Sequence, residues 1–317
     1  MSLAIDLTLP RRAPAPLAPV CLGLMGLGLA WRKAAEVYGA PAIIGEAILA
    51  FAIALSAVVA IKYVSMIRLR PAALTLDLRK PAGRGAVPAG SETLIVGAAA
   101  LLPYSYPAAL AAWLVGVALH LTLAFQLLGL LRGALVKDPR PSGFLLVPFV
   151  GPIVAPIAGA EMDLIAPSKL LFWIGLGAYL VLFPLILRRF VTEPVEHVFR
   201  PSVFMLVAPP AIGIVAYEQI YPGGPLAPWM YAFSCLLLLG MATRRRWLTE
   251  GGFSATWGAF TFPFTAFAAG SMAMAGRHHD ALFPVFGIVA LMITSVLTPW
   301  IAARVLARWK DGTLVTL

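Results

Sequence analysis

An apolar segment at residues 253–275 contains the stretch Gly258-Ala259-Phe260-Thr261-Phe262-Pro263-Phe264. On a helical period, one face of this segment carries one phenyl ring among small residues: Gly258, Phe262, Thr265, Ala266, Ala269 and Ala273. Such a face is typical of a helix that lines a pore, or of close helix packing through small residues. Phe262 stands directly before Pro263, which releases the backbone where a bulky ring would need room to move. This juxtaposition favours a pore with an aromatic plug.

The composition predicts an integral membrane protein. Of the 317 residues, 61% are hydrophobic and 12% are charged, whereas soluble domains carry about 25% charged residues. Apolar runs of about 20 residues recur along the chain, each long enough to cross a bilayer core of about 30 Å. They lack the alternation of apolar and polar residues that membrane β-strands show. The fold class is therefore predicted to be all-α and polytopic.

Hydropathy predicts ten transmembrane helices, at 19–31, 42–66, 86–104, 108–131, 144–160, 169–187, 202–220, 228–241, 253–275 and 281–303. Residues 19–303 would form one transmembrane channel domain, between cytoplasmic segments at 1–18 and 304–317. The third predicted span contains an acid, Glu92. The polar loop at 68–90 is predicted to be a mobile cytoplasmic linker.

Loop charges predict the orientation. With ten spans, 20 of the 24 lysine and arginine residues fall on the side that holds both termini. The positive-inside rule makes that side cytoplasmic, in the inner (plasma) membrane of the cell. Because topology explains the net charge of +10, no nucleic-acid partner is expected.

Proline placement indicates which spans face inward. A proline inside a helix removes a hydrogen bond, and the freed carbonyl must find a partner in protein or water rather than in lipid. Prolines fall mainly within odd-numbered spans: Pro103, Pro148, Pro152, Pro156, Pro209, Pro210 and Pro263. Even-numbered spans mostly carry proline at their ends, as with Pro299. The pattern favours five helix hairpins around an axis, with odd spans inside; the alternative is that proline is simply common in membrane helices.

Few ionisable residues within the predicted spans offer chemistry. Glu46 and Glu218 lie near the outer helix ends, where pairing with bases such as Lys33 or Lys169 is expected. His120 lies mid-span on an even helix, so a hydrogen-bonded packing role is expected. His278-His279-Asp280 reads as a solvated outer turn or, less simply, a surface metal site. No metal site, cofactor or catalytic activity is predicted, and Cys21 and Cys235 read as small buried hydrophobic residues.

Four stretches resemble a known family, the tellurite-resistance/dicarboxylate transporters, which include bacterial TehA and the plant guard-cell slow anion channels. The resemblance covers residues 19–303. It rests on Phe260-Thr261-Phe262-Pro263 and on three further stretches: Gly23-Leu24-Met25-Gly26-Leu27-Gly28-Leu29-Ala30-Trp31, Pro201-Ser202-Val203-Phe204-Met205-Leu206-Val207-Ala208-Pro209-Pro210-Ala211, and Val147-Pro148-Phe149-Val150-Gly151-Pro152-Ile153-Val154-Ala155-Pro156.

The resemblance implies a homotrimer in the bilayer whose protomers each hold a pore. Five hairpins in quasi-five-fold arrangement would place the odd helices around that pore. The family's phenylalanine gate maps onto Phe262, with Phe260 as the alternative register. Pore-lining or kink positions are expected at Phe260, Pro263, Gly258, Thr265, Ala266, Pro152 and Pro209.

Two functions remain open from the sequence. The first is a channel for small inorganic anions such as chloride or nitrate, occluded by Phe262. The second is a proton-coupled carrier of C4-dicarboxylates, or an exporter of tellurite or sulfite. Coupling requires a titratable group on the substrate path, and the candidates considered for it, His120, Glu46 and Glu218, do not share the face of Phe262.

Overall fold

The computed structural model describes residues 14–136, 138–277 and 282–317, and all regular structure within these ranges is helical. The α-helices are α1 (Leu17–Tyr38), α2 (Ala42–Leu69), α3 (Ala72–Leu78), α4 (Pro81–Leu101), α5 (Tyr106–Arg132), α6 (Leu146–Val150), α7 (Pro156–Gly159), α8 (Ile165–Thr192), α9 (Ala208–Ile220), α10 (Leu226–Thr243), α11 (Arg245–Thr249), α12 (Gly258–Ala275) and α13 (Leu282–Lys310). Short 3-10 segments at Gly143–Leu145, Gly151–Val154, His197–Val207 and Ala255–Trp257 join some of them.

Each predicted span coincides with one α-helix or with a run of short helical pieces, but the intervening loop at 68–90 was predicted wrongly. It contains helix α3, and α4 begins at Pro81 instead of residue 86. Most of the first α4 residues are buried, Arg84 among them, so this region is packed structure and not a mobile linker. Three of its charged side chains have partners inside the protein, which hydropathy does not register: Asp77 accepts from Tyr63, Lys80 donates to the Thr316 carbonyl, and Arg84 donates to the carbonyls of Asp138 and Arg79.

The proline rule also needs correction at two positions. Pro103 lies in the turn after α4, which ends at Leu101. Pro299 lies inside α13, which continues to Lys310. The tenth predicted span thus runs past its apolar core, and proline occurs inside both odd-numbered and even-numbered spans.

Contacts divide the helices into an inner and an outer set. The inner set comprises α1, α4, the broken segment Gly143–Gly159, the segment His197–Ile220 and α12; each packs against the next, and α12 packs back on α1. The outer helices α2, α5, α8, α10 and α13 each pack on the inner segment that precedes them. Their other faces expose large apolar side chains, including Phe51, Ile61, Phe125, Leu180, Trp229 and Val296.

These exposed faces identify a polytopic membrane protein. Within residues 14–136, 138–277 and 282–317, six helical segments are long and apolar enough to cross a bilayer: the five outer helices and His197–Ile220. Exposed apolar surface on this scale is costly in water and stable in lipid.

The broken inner segments satisfy their backbone through side chains of the outer helices. Pro209 and Pro210 remove both N–H groups that could bond the carbonyl of Leu206 locally. The Tyr179 hydroxyl of α8 donates to that carbonyl at 2.8 Å. The indole N–H of Trp113 on α5 also donates to an inner carbonyl, that of Ala155 at 2.9 Å, which accepts the Gly159 backbone N–H at 3.0 Å as well. A protein donor thus replaces the missing helix hydrogen bond at Leu206, as a bilayer requires.

Candidate functional site

All five inner segments line one central cavity. It encloses about 830 Å³ of space free of atoms, including its open mouth. Its wall begins near the first residues of four inner segments and at Met205 of His197–Ile220, and it ends deeper inside at Leu22, Glu92, Ile153, Ile212 and Pro263. Apolar side chains form almost the entire wall, and no lysine or arginine is among the described residues that line it. The cavity, called the vestibule below, therefore has an apolar wall and opens at one end of the bundle.

Phe262 lies at the inner end of this cavity. Its side chain lines the wall and is 8% exposed. A methyl group placed on Gly26 would stand 3.2 Å from the Phe262 ring and 2.5 Å from Thr265 Oγ1. The ring therefore occupies space that α1 leaves open by having glycine at position 26. A larger residue at position 26 would therefore restrict the positions that the Phe262 ring can take.

The structure divides the other predicted site residues into two groups. Gly258, Pro263 and Pro209 line the cavity with Phe262, whereas Phe260, Thr265, Ala266 and Pro152 are not part of its wall. Phe260 packs edge-on against Phe204 and Trp257. Thr265 hydrogen-bonds the Phe262 carbonyl at 2.8 Å and faces α1.

The cavity occupies only the first turns of α12, which explains this division. Further along, α12 packs closely on its neighbours, as at Gly270, where an added methyl would stand 2.7 Å from the Ala211 carbonyl oxygen. The small-residue face of α12 therefore serves a cavity at one end and helix packing at the other.

A carboxyl group shares the cavity wall with Phe262. Glu92 of α4 lines the cavity, is 5% exposed and has no hydrogen-bond or ion-pair partner within the described part of the chain. The expectation that no titratable group accompanies Phe262 is therefore wrong. The signal in the sequence is the acid itself, since a carboxyl group inside an apolar span is functional by default.

His120 of α5 lies next to Glu92 but is not among the residues that line the cavity. Its Nδ1 lies 3.1 Å from the Ser91 hydroxyl, while its buried Nε2 has no partner. A methyl on Gly151 would stand 2.7 Å from His120 Nε2 and 3.5 Å from Glu92 Cδ. The absence of a side chain at Gly151 thus leaves a space that both the Glu92 carboxyl and the His120 imidazole border.

Comparison with known proteins identifies the family. Residues 13–306 match the SLAC1 family, described as voltage-dependent anion channels. The chain belongs to this family. Among curated relatives, the S-type anion channel SLAH2 of Arabidopsis thaliana is 32% identical over 140 residues, which are 44% of this chain and 27% of the relative. The S-type anion channel SLAH3 of the same plant is 26% identical over 164 residues, 51% of this chain and 26% of the relative. The match thus spans about a quarter of the length of these relatives.

In this SLAC1-family chain the acids at the other end of the bundle form ion pairs. Glu46 pairs with Arg32 at 2.8 Å and accepts a hydrogen bond from Tyr104 at 2.6 Å, and Glu218 pairs with Arg277. The expected pairing with nearby bases therefore occurs, with other partners than Lys33 and Lys169. Neither acid lines the cavity.

No metal centre is evident in the described ranges of this SLAC1-family chain: no group of three His, Cys, Asp or Glu side chains is placed to hold an ion. His278-His279-Asp280 lies outside the described residues. Cys21 is buried, Cys235 is half-buried and both are free thiols.

Proposed function

We propose that this chain is an anion channel that passes small anions such as chloride or nitrate through the central cavity. Membership of an anion-channel family supports anion transport in general. The observation that carries the finer proposal is the position of Phe262, a bulky ring at the inner end of a cavity that all five inner segments line. A hydrophobic constriction of this kind blocks conduction by filling the path and excluding water. Phe262 is the proposed gate, and Pro263 the bend beside it.

A helix end supplies attraction for anions in a cavity wall that has no cationic side chain among the described residues. The 3-10 turn Ala255–Trp257 runs directly into α12, and Ala255, Thr256 and Gly258 at the start of this helical run line the cavity. The first turn of a helix carries a positive partial charge of about half an elementary charge. This helix end would favour a small anion inside the cavity over a cation of the same size.

The proposed architecture is ten transmembrane helices, paired as five hairpins in quasi-five-fold arrangement. The closed ring of inner contacts and the pairing of each outer helix with its inner partner support it. A homotrimer with one pore per protomer, and a plasma-membrane location with both termini cytoplasmic, complete the proposal. The trimer rests on the family resemblance and the orientation rests on the loop charges. No catalytic role is proposed.

Phe262→Ala tests the gate. Removing the ring should raise anion conductance in a planar bilayer about tenfold or more, because the constriction would become wide and hydrated. Phe260→Ala is the matched control: it removes the same ring two residues away, where it packs on Phe204 and Trp257 outside the cavity wall. Conductance should stay at the wild-type level there. An unchanged Phe262→Ala channel with normal expression, or a rise only in Phe260→Ala, contradicts the gate assignment.

Glu92 supports a second function, a proton-coupled carrier of C4-dicarboxylates or an exporter of tellurite or sulfite. Coupling needs a group that exchanges a proton on the substrate path, and Glu92 is a carboxyl on the cavity wall with His120 behind it. Uphill anion accumulation driven by a pH gradient alone would favour this carrier over the channel.

A further inference from the structure

A second, smaller pocket lies beside the central cavity. Phe144 lines both. The walls of the second pocket come from the start of α4, the loop before α6, the end of α8 and the segment His197–Val207. Three arginines and one aspartate contribute to it: Arg84, Arg140, Arg189 and Asp138. Basic side chains therefore concentrate next to the vestibule, although none of them is on the vestibule wall itself.

Three donor groups around this pocket have no acceptor among the described residues. They are the buried Nε atoms of Arg84 and Arg189 and the buried hydroxyl of Ser142. Arg189 Nε lies 3.7 Å from a Glu193 carboxylate oxygen, beyond hydrogen-bond distance. Leaving a buried donor unpaired costs about 1–3 kcal/mol, and more for a charged group. Three such groups around one pocket indicate that an acceptor belongs there.

Arg84 is the decisive residue because none of the ion pairs among the described residues includes it. It is 1% exposed, and its terminal nitrogens donate to the backbone carbonyls of Asp138 and Arg79. The carboxylate in the pocket, Asp138, instead pairs with Arg140 and Arg189 at 2.8 and 2.9 Å. A buried guanidinium without a counter-ion is unfavourable.

The acids around the pocket leave a positive balance. Partial burial acts to raise the pKa of Asp138, but hydrogen bonds from Arg140 and the charge of Arg189 outweigh it and lower the pKa to about 2. Asp138 is therefore ionised at neutral pH. Together with Glu193, which pairs with Arg140 at 3.1 Å, two negative charges face three positive ones. One monovalent anion would complete the balance.

We infer that this pocket binds a small monovalent inorganic anion, such as nitrate or chloride, between Arg84, Arg189 and Ser142. Such an anion accepts hydrogen bonds from several donors at once and brings the missing negative charge. The pocket, about 310 Å³ with its open side included, has room for an anion of this size. Because Phe144 separates it from the vestibule, the site would hold an anion at the mouth of the conduction path. This inference rests on the proposed function, because the bound ligand would be the same anion that the channel is proposed to conduct.

Thermal unfolding of the purified full chain in uncharged detergent tests this site. Nitrate or chloride replaces gluconate stepwise at constant ionic strength. The wild-type midpoint should rise and saturate with the small anion, as mass action requires for a ligand of the folded state. Ser142→Ala should weaken the apparent affinity about tenfold, the worth of one hydrogen bond to a charged group, and Arg84→Gln should abolish the rise.

Arg132→Gln is the control, because it removes the same charge from an exposed position and should leave the anion response intact. Equal responses of Arg84→Gln and wild type would overturn the site. If Arg84→Gln does not fold, an unchanged affinity in Ser142→Ala overturns it. A response to short-chain phosphatidic acid with none to nitrate or chloride also overturns it. This experiment measures anion binding and not anion flux. Its outcome therefore does not depend on the conductance of Phe262→Ala.

Discussion

At the scale of single residues, Glu92 is the acidic side chain that an anion on the proposed path would meet at the cavity wall. A carboxylate with negative charge would repel an anion that passes Phe262, whereas the neutral acid would not. Among the described residues, the titratable groups at this place are Glu92 itself and His120, which meet at Gly151. On the proposed path, the charge state of this one buried side chain would therefore set an electrostatic barrier for anions.

Glu92→Gln is expected to make anion flux independent of pH. Wild-type flux in proteoliposomes should rise as pH falls and Glu92 becomes neutral, and the amide variant should match the acid limit of the wild type at every pH. Glu36→Gln is the control, since Glu36 is an exposed acid at the other end of the bundle that pairs with Lys33 at 2.7 Å. A variant that keeps the wild-type pH profile, or loses flux altogether at normal expression, would show that Glu92 does not set this barrier.

At the scale of elements, glycines set how closely the outer helices approach the inner ones. Methyl groups added to Gly45 of α2, Gly116 of α5 or Gly175 of α8 would stand within 2.9 Å of backbone atoms in the preceding inner segment. Gly287 of α13 lies similarly close to Tyr38 of α1. Small residues at helix crossings permit this packing in membranes, where lipid removes the hydrophobic drive between helices.

Gly175→Ala tests this packing. The new methyl would stand 2.7 Å from both the Ile153 nitrogen and the Val150 carbonyl oxygen, so the broken inner segment would have to shift. A loss of about 1–3 kcal/mol in unfolding free energy is expected, the usual cost of overpacking.

Gly177→Ala supplies the control for this experiment. It lies on the same helix with no atom within 4 Å of the added methyl, and it should be neutral or slightly stabilising because alanine favours the helix. The measurement is unfolding in mixed micelles. Equal effects of the two substitutions would mean that the α8 crossing does not depend on glycine.

At the scale of the whole molecule, polar contacts gather at two opposite ends. One end holds the Arg32–Glu46 and Arg277–Glu218 pairs. The other end holds the network of Asp138, Arg140, Arg189 and Glu193, together with the Arg200–Glu250 pair. The cavity and the second pocket open towards the end with more basic residues, which is the cytoplasmic end in the proposed topology.

Cysteine accessibility tests this orientation. In a variant without the two native thiols, Ala42→Cys and Thr313→Cys introduce exposed thiols at opposite ends. A membrane-impermeant maleimide added to intact spheroplasts should label position 42 directly, and position 313 only after the membrane is disrupted. Labelling in the reverse order would invert the proposed topology, and equal labelling of both positions would contradict the separation of the ends by a bilayer.

The amino-acid sequence by itself determined the features that reside in single segments. Hydropathy and charge located the apolar helices and the two polar ends, because the transfer energy of a segment depends mainly on its own side chains. The pair Phe262-Pro263 and the clustering of prolines in the broken inner segments were also recognisable, because each lies within a single segment of the sequence.

Only the tertiary structure decided which residues meet. Glu92 and Phe262 are 170 positions apart and share one wall; Arg84, Ser142 and Arg189 come from three different elements. Their meeting depends on the rotation and depth of each helix, which glycine contacts and proline breaks set jointly across all five inner segments. No periodicity within one segment carries that information, so both the buried acid and the proposed anion site emerged only from the packed bundle.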